Sequence, residues 1–490
     1  MATLSSALNY ALSGLSAAAA QSALASRNVA FAQDPNYSRR TAQIISLTDG
    51  SATIAAYNRS ADRRLLEKLL ESTSLSEGQS AMLKSLTSLS QQIGDPEADR
   101  SVAALVSKLQ SSLRDLEANP SSGVLAANVV LAANSVVRAL GQGTDAVQAT
   151  RVDADQEMAA SVDSINTLLA QFKIANDAIV RGSGTPADLT DSLDERDRIL
   201  KLLSEEIGIR AVTRSNNDIA IYTEGGVTLF ETVPRKIEFS PTTLFTPDTR
   251  GDVVRIDGVS VLGAQATMPS TSGRLASLAR VRDEITVTFQ TQLDEIARGL
   301  IEVFAESDQQ VPASLPDVAG LFLNGTYTGV PPSGIAIPGL AARIRLNPLA
   351  DPTAGGNPLL IRDGGFGGPD YVYNSSGADS FQARINELQA GFDSSIDFSS
   401  DAKLEATGSL KSFSLSAAGW IEALRQNTDD SAQSSAALRT RSAEALLRVT
   451  GVNIDEEMAA ILDLERSYQA SAKVISTLDS MLGTLFDSIR

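Results

Sequence analysis

The 490-residue sequence contains no cysteine and no histidine. The absence of imidazole excludes Ser-His-Asp and Cys-His nucleophiles and histidine-ligated metals. The absence of thiols excludes disulfides, thiolate zinc sites and cysteine nucleophiles. We therefore expect no catalytic, cofactor-binding or metal-binding residues. Chemistry based on carboxylates alone stays open, so the acidic clusters of the sequence have to be weighed as candidates for an enzyme.

Two acidic clusters are the best candidates for such chemistry. Asp194 and Asp197 lie three residues apart and would share one face of a helix, but Arg196 and Arg198 lie beside them. We interpret this cluster as a solvated ion-pair face. The second cluster, residues 455–457, suits a helix N-terminus because the helix dipole favours acidic side chains there.

Aromatic residues make up only 5% of the sequence, and there is a single tryptophan, whereas 43% of the residues are hydrophobic. This composition is typical of helix–helix packing and provides enough apolar residues for a sizeable core. The net charge is −18. Because no basic block is present, the charge argues against nucleic-acid binding and favours a soluble chain that repels itself before assembly.

The N-terminus lacks the features of a cleavable signal peptide, since its first basic residue is Arg27. No run of 18 apolar residues is present, so we expect no membrane span and no membrane partner. If the protein is secreted, we expect an export route that removes no N-terminal segment.

Both ends of the chain carry heptad repeats of apolar or small residues. Residues 3–32 predict one helix, which Pro35 ends because it disfavours helix at the preceding residue. A second helix is predicted from Asn453 to the last residue. An amphipathic terminal helix needs a partner for its apolar stripe, and we expect each helix to pair with the other and with further copies of the chain. The alternative is that both helices close an ordinary bundle within one monomer.

The expected assembly interface consists of residues from both repeats and one aromatic residue of the loop that follows the first helix. These residues are Leu4, Leu8, Leu15, Val29, Tyr37, Ile454, Ile461, Tyr468, Ile475, Leu478, Leu482 and Leu485.

The predicted fold class is mainly α with a β insertion. Both termini and the core helices form a long helical hairpin or bundle, into which a small β domain and a loop-rich tip are inserted. The expected domains are a terminal assembly domain (1–50 and 451–490), a helical rod (51–208, 272–306 and 376–450), a β-rich domain (209–271) and a loop-rich, surface-exposed insertion (307–375).

Within the insertions, individual strands are also predicted. Residues 218–230 and 253–262 are rich in β-branched residues and contain Gly-Gly and Asp-Gly turns, which indicates two hairpins. Short strands are expected at 341–346 and 358–362. Glycines at 141 and 143 are possible kinks in an exceptionally long helix that spans residues 123–181.

The terminal motifs resemble those of bacterial flagellar axial proteins. They are residues 12–15 (LSGL), 28–30 (NVA) and 37–39 (YSR) in the first helix and turn, and 452–459 (VNIDEEMA) and 468–475 (YQASAKVI) in the last helix. Hook and rod proteins share these motifs, so they indicate only the superfamily.

Internal motifs are more selective. Residues 193–204 (LDERDRILKLLS) and 207–209 resemble the helix after which the hook-associated protein 1 family (FlgK) enters its β domain. Residues 273–275, 282–283 and 293–297 are similar to the returning helix of that family. The resemblance covers about half of the chain.

This resemblance implies a non-enzymatic structural component of the flagellum. Such a protein is exported from the cytoplasm by the flagellar type III apparatus and polymerises as a ring that joins hook to filament. The implied partners are copies of itself, the hook protein, a second junction protein or flagellin, and a cytoplasmic export chaperone on the C-terminal helix; no cofactor is implied. The alternatives are another axial protein, such as a hook, rod or second junction protein, and an extracellular adhesin-like module.

Overall fold

The computed structural model describes residues 2–48, 50–93, 100–183, 188–263 and 266–488, except for the side chains of residues 2–4 and 485–488. The helices are α1 (Ala2–Ala30), α2 (Arg63–Ile93), α3 (Val102–Ala118), α4 (Gly123–Gly182), α5 (Thr190–Glu206), α6 (Arg274–Arg280), α7 (Thr286–Val303), α8 (Leu340–Arg343), α9 (Leu360–Asp363), α10 (Ala383–Asp393), α11 (Leu410–Thr450) and α12 (Ile454–Ser488). A single π-helical turn, Val281–Ile285, joins α6 to α7. The predicted, mainly helical fold class is confirmed.

The strands form five small antiparallel sheets within the described residues. Their bounds are β1 (Arg40–Ser46), β2 (Ala52–Arg59), β3 (Ile209–Thr213), β4 (Ile219–Thr223), β5 (Thr228–Phe230), β6 (Ile237–Glu238), β7 (Arg255–Ile256), β8 (Val259–Ser260), β9 (Phe322–Asn324), β10 (Ile344–Leu346), β11 (Ile396–Asp397) and β12 (Thr407–Gly408). The sheets pair as β1–β2, β3–β4–β5, β6–β7–β8, β9–β10 and β11–β12.

Helix α4 is the axis of the helical body. Its N-terminus is capped by Ser122, whose hydroxyl accepts a hydrogen bond from the N–H of Leu125, and its buried face packs against α2, α3, α5 and α7. The helix continues through Gly141 and Gly143. At Gly143 a β-carbon would lie 3.0 Å from the Cδ1 atom of Leu293, so glycine permits the close approach of α7.

Among the described residues, α4 is also the one helix whose length and composition would allow it to cross a membrane, with a mean hydropathy of 1.6 over 18 residues. Its apolar face belongs to the core that α2, α3 and α7 share. Arg151 and Asp155 of the same helix are buried within the protein and hydrogen-bonded. We therefore assign α4 to the core of the body.

A hairpin of β1 and β2 follows α1, in a region that the sequence analysis assigned to helical domains. The strands pair from Arg40 opposite Arg59 to Ser46 opposite Ala52, with a bulge between Gln43 and Ile44. The missed signal is the β-branched and aromatic content of these strands. The hairpin contacts α1 and separates the terminal helices from the body.

The two hairpins predicted from their turns are present. Strand β4 pairs with β5 across the Gly-Gly turn, and β7 pairs with β8 across Asp257 and Gly258. Asp257 and Gly258 have φ angles of 49° and 81°, the left-handed conformation that a two-residue hairpin turn requires.

The region between α7 and α10 differs from the predicted exposed insertion. Phe322, Leu340, Ala350 and Ile361 are fully buried and belong to the main core. The predicted strand at 341–346 is helical up to Arg343, and the one at 358–362 ends in α9 instead. Tertiary contacts account for the first difference, because the Asp294 carboxylate of α7 accepts hydrogen bonds from the N–H groups of Gly339 and Ala341.

Candidate assembly interface

Helices α1 and α12 pack lengthwise against each other in antiparallel orientation. Asn28, near the end of α1, contacts Glu457 at the start of α12. Further along, a β-carbon on Gly14 would lie 4.0 Å from the Ser471 hydroxyl oxygen. Both pairs of residue numbers add up to the same value, which is the signature of an antiparallel register. The two ends of the chain therefore form one helical pair.

Small residues allow the close approach of these helices. Ala17, Ala18 and Ala25 of α1 are buried in the pair, as their heptad spacing predicts. The partly buried residues of the predicted interface are Leu8, Leu15, Val29, Ile461, Ile475, Leu478 and Leu482. The side chains of Leu4 and Leu485 lie outside the described residues.

Three predicted interface residues occupy other environments. Ile454 and Tyr468 are exposed and lie beside the α1–α12 seam, because the contact face of α12 turns away from them. Tyr37 is buried, and its hydroxyl donates a 2.8 Å hydrogen bond to the Asn28 side-chain oxygen. Tyr37 therefore stabilises the connection between α1 and the hairpin within one molecule.

The outer surface of the helical pair carries many large apolar side chains. They occur on both helices and along the full described length of α12. The exposed residues are Tyr10, Leu12, Ile454, Met458, Leu462, Tyr468, Val474 and Met481. Isolated exposed apolar residues are ordinary on protein surfaces, but such a concentration on two adjacent helices marks a surface that contacts another molecule.

A buried hydrogen-bond network connects the helical pair to the body. The Asn28 amide donates to the Arg40 carbonyl oxygen at 2.9 Å and accepts from the Arg40 N–H at 3.1 Å. It also donates to Glu457 at 3.0 Å, and Glu457 accepts a 2.6 Å hydrogen bond from Arg39. With the bond from Tyr37, Asn28 uses its full hydrogen-bonding capacity. This network fixes the angle at which α1 and α12 leave the hairpin.

The acidic cluster on α5 is buried and cross-links the hairpin to the body. Asp194 accepts hydrogen bonds from Arg40 at 2.6 Å and from Arg59 at 3.0 Å, and Arg59 also binds Asp197 at 2.6 Å. Arg40 is further paired with Asp191 at 2.8 Å. The interpretation as a solvated face paired with Arg196 and Arg198 is therefore wrong, since the cluster's partners come from the hairpin.

The electrostatics of this cluster favour its charged state. Burial opposes the charge of Arg40, but hydrogen bonds to Asp194 and Asp191 outweigh it, so the pKa of Arg40 is raised. Burial likewise works against Asp191, yet hydrogen bonds from Arg27 and Arg40 lower its pKa. These carboxylates are occupied by arginines, and the described part of the chain has no group of acidic side chains that could hold a metal ion.

The main residues that the sequence analysis missed as site residues are Asn28, Arg40, Arg59 and Glu457. Asn28 and Glu457 lie inside the terminal motifs, but their pairing joins positions 429 residues apart. Periodicity identifies apolar stripes and has no signal for a polar contact of this kind.

Comparisons with known proteins agree with this architecture. Residues 71–311 match the family model "Flagellar hook-associated protein FlgK helical domain", and residues 445–487 match "Flagellar basal body rod FlgEFG protein C-terminal". The chain belongs to the FlgK family. It is 20% identical to Flagellar hook-associated protein 1 of Escherichia coli (strain K12), over 99% of this chain and 100% of that protein.

A solved FlgK-family structure, the flagellar hook junction protein FlgK from Burkholderia pseudomallei, is 19% identical in sequence. The likeness covers 53% of this chain and 47% of that chain, with a TM-score of 0.42. Membership of the FlgK family makes this chain a structural protein of the bacterial flagellum. The family match also includes α4 and α5, whose motifs carried the resemblance in the sequence.

Proposed function

We propose that this protein is the structural adapter between flagellar hook and filament and that it assembles through α1–α12 pairs of neighbouring copies. The observation that carries the proposal is the row of exposed apolar side chains on the paired helices. A helical pair that keeps large apolar residues on its outer surface gains free energy when another helical pair covers them. The proposed role is structural and includes no catalysis.

The proposed partners follow from this surface and from the names of the relatives. Copies of the chain form a ring, with the hook protein on one side and a second junction protein or flagellin on the other. The relatives' names mention the hook and its junction, which supports this location. The chain is expected to pass through the cytoplasm before export.

Binding of the purified protein to isolated hooks, observed by electron microscopy, tests the proposal. Leu462 is 54% exposed, so Leu462→Glu should leave the monomer folded while it places a charge in the proposed contact. We expect at least a tenfold weaker association with hooks. Leu131→Glu is the matched control, because Leu131 is 64% exposed on α4 in the body, and it should bind like the unchanged protein.

Failure of the unchanged protein to bind hooks would refute the proposal. A chain without residues 1–32 and 452–490 that still joined the flagellum and supported swimming would refute assembly through the terminal pair.

The same exposed surface on α12 is proposed to bind an export chaperone in the cytoplasm. A chaperone that covers Met458, Leu462 and their apolar neighbours would prevent early self-association. Deletion of residues 452–490 should abolish this binding. Persistent chaperone binding by the deleted chain would show that the contact lies elsewhere.

A further inference from the structure

A cleft of about 920 Å³ lies in the body next to the β1–β2 hairpin. Its base is the exposed side of α5, and α2, α11, the first β sheet and the loop at residues 35–38 form its walls. We call it the α5 cleft. Its apolar lining includes Leu66, Leu193, Leu446 and Leu447.

Most of the cations that line the α5 cleft are paired with carboxylates of the same molecule. Arg59 binds Asp194 and Asp197, and the remaining pairs are within their own helices or between neighbouring ones. These pairs are Arg63–Glu67, Arg198–Glu195 and Arg439–Glu77.

Two cations of the cleft differ from the rest. Within the described parts of the chain, neither Lys201 nor Arg196 has a carboxylate at ion-pair distance. The Lys201 ammonium contacts only neutral oxygens, the Asn36 side-chain oxygen at 3.3 Å and the Pro35 carbonyl at 3.5 Å.

Arg196 is only 5% exposed, and one of its terminal nitrogens donates to the Asn217 carbonyl oxygen at 2.5 Å and to the Asn176 side-chain oxygen. Its Nε atom has no hydrogen-bond partner. Burial lowers the pKa of Arg196 to about 10 and also lowers that of Lys201.

Unpaired cations of this kind are unfavourable in a partly closed cleft. Removing a charge from water is costly unless an opposite charge compensates for it, and the lining of the cleft offers apolar contacts beside each cation. The spacing of Arg196 and Lys201 on α5 places them about 140° apart around the helix, at different edges of the cleft. An occupant that satisfies both needs acidic groups and apolar side chains along an extended segment.

A neighbouring copy of the chain has this chemistry. The protein carries 59 acidic against 41 basic residues, so its surface is rich in carboxylates. A ring of identical subunits also requires two different, complementary surfaces on each subunit. We propose that, in the assembled layer, an acidic segment of a neighbouring copy fills the α5 cleft and pairs with Lys201 and Arg196. This inference rests on the proposed function.

The absence of cysteine from the sequence provides a direct test. Ala443→Cys introduces a single thiol into the lining of the cleft, and Val311→Cys introduces one at a residue that is 99% exposed. We expect assembly onto isolated hooks to slow maleimide labelling at position 443 at least tenfold. Labelling at position 311 should proceed at the same rate in both states, which controls for general loss of access.

A charge change tests the pairing itself. Lys201→Met removes the ammonium and keeps an apolar side chain, and we expect at least a tenfold weaker association with hooks and an unchanged circular dichroism spectrum of the monomer. Lys68→Met on the exposed side of α2 is the matched control and should associate normally. Normal association of Lys201→Met would overturn the inference.

The remaining outcomes separate the inference from the function on which it rests. If the Ala443→Cys protein assembles on hooks and its thiol stays reactive, the α5 cleft is empty in the assembly and the inference is wrong, while the proposed function stands. If sodium acetate or inorganic phosphate protects the thiol in the unassembled chain as strongly as assembly does, the occupant is a small anion and the inference is also wrong. Failure of the unchanged protein to bind hooks refutes the proposed function.

Discussion

Asn28 and Glu457 are 429 residues apart in the chain, and the Asn28 amide donates a 3.0 Å hydrogen bond to the Glu457 carboxylate. Both side chains are buried where the terminal helices meet the hairpin. The contact joins the two ends of the chain to each other and, through Arg39 and Arg40, to the body. The orientation of the assembly helices therefore depends on a small polar cluster as well as on their apolar seam.

Asn28→Asp should loosen the terminal pair. The substitution removes the amide donor and places a carboxylate next to Glu457, and we expect a local cost of about 2 kcal/mol. Amide hydrogen exchange in α1 and α12 should then be about 30-fold faster at that cost. Asn9→Asp, at an exposed position of α1, is the control and should exchange normally. Unchanged exchange in the Asn28 variant would show that the network contributes little to holding the pair.

Asp194→Asn should destabilise the connection between the hairpin and α5. The variant keeps the shape of the side chain but leaves Arg40 and Arg59 with one carboxylate partner each, and we expect a loss of about 2 kcal/mol in the free energy of unfolding. Urea denaturation measures this loss. Glu195→Gln removes an exposed pair with Arg198 on the same helix and should cost less than about 0.5 kcal/mol. Equal effects of the two substitutions would contradict the importance of the buried cluster.

Gly251→Ala should disturb the contact between the β-rich region and α4. An added β-carbon would lie 2.5 Å from the central guanidinium carbon of Arg282. Arg282 cannot easily move because it is buried, pairs with Asp155 and donates to the Asp252 carbonyl at 2.8 Å. We expect a destabilisation of about 2 kcal/mol in thermal or urea unfolding.

Gly419→Ala is the control for this change. Gly419 is an exposed residue in the middle of α11 with open space around it, so the substitution should stabilise the protein by about 0.5–1 kcal/mol. A neutral Gly251→Ala variant would indicate that the Arg282 side chain adapts freely.

The buried Asp294 should make stability depend on pH in an unusual direction. Burial raises the pKa of its carboxyl group to about 6, although hydrogen bonds from Ala341 and Gly339 oppose this rise. The folded protein therefore holds a proton that the unfolded chain has already lost above about pH 4. The stability from this group is fully present below that pH and is lost as the pH rises through 6.

Asp294→Asn separates this contribution from those of other groups. We expect the free energy of unfolding of the unchanged protein, minus that of the variant, to fall as the pH rises from about 4 to 7. Urea denaturation at several pH values measures the difference. A difference that stays constant or increases would contradict the shifted pKa.

The heptad positions of the two ends were sufficient to predict the helices α1 and α12, because a repeat of apolar residues depends only on local spacing. The turn glycines and Asp257 were likewise sufficient for two hairpins, since few residues tolerate the left-handed conformation. Their failures are informative. The β1–β2 hairpin was missed, and α8 was predicted as a strand although the Asp294 carboxylate of α7 binds its first N–H groups.

The sequence by itself determined the mainly helical class, the amphipathic ends, the absence of cysteine and histidine, and the family resemblance, because composition, periodicity and motifs are local properties. The tertiary structure alone decided which polar side chains meet. It paired Asn28 with Glu457, turned Asp194 toward Arg40 and Arg59, and left Lys201 without a carboxylate partner among the described residues. These contacts join segments far apart in the chain, and their geometry exists only after the helices have packed.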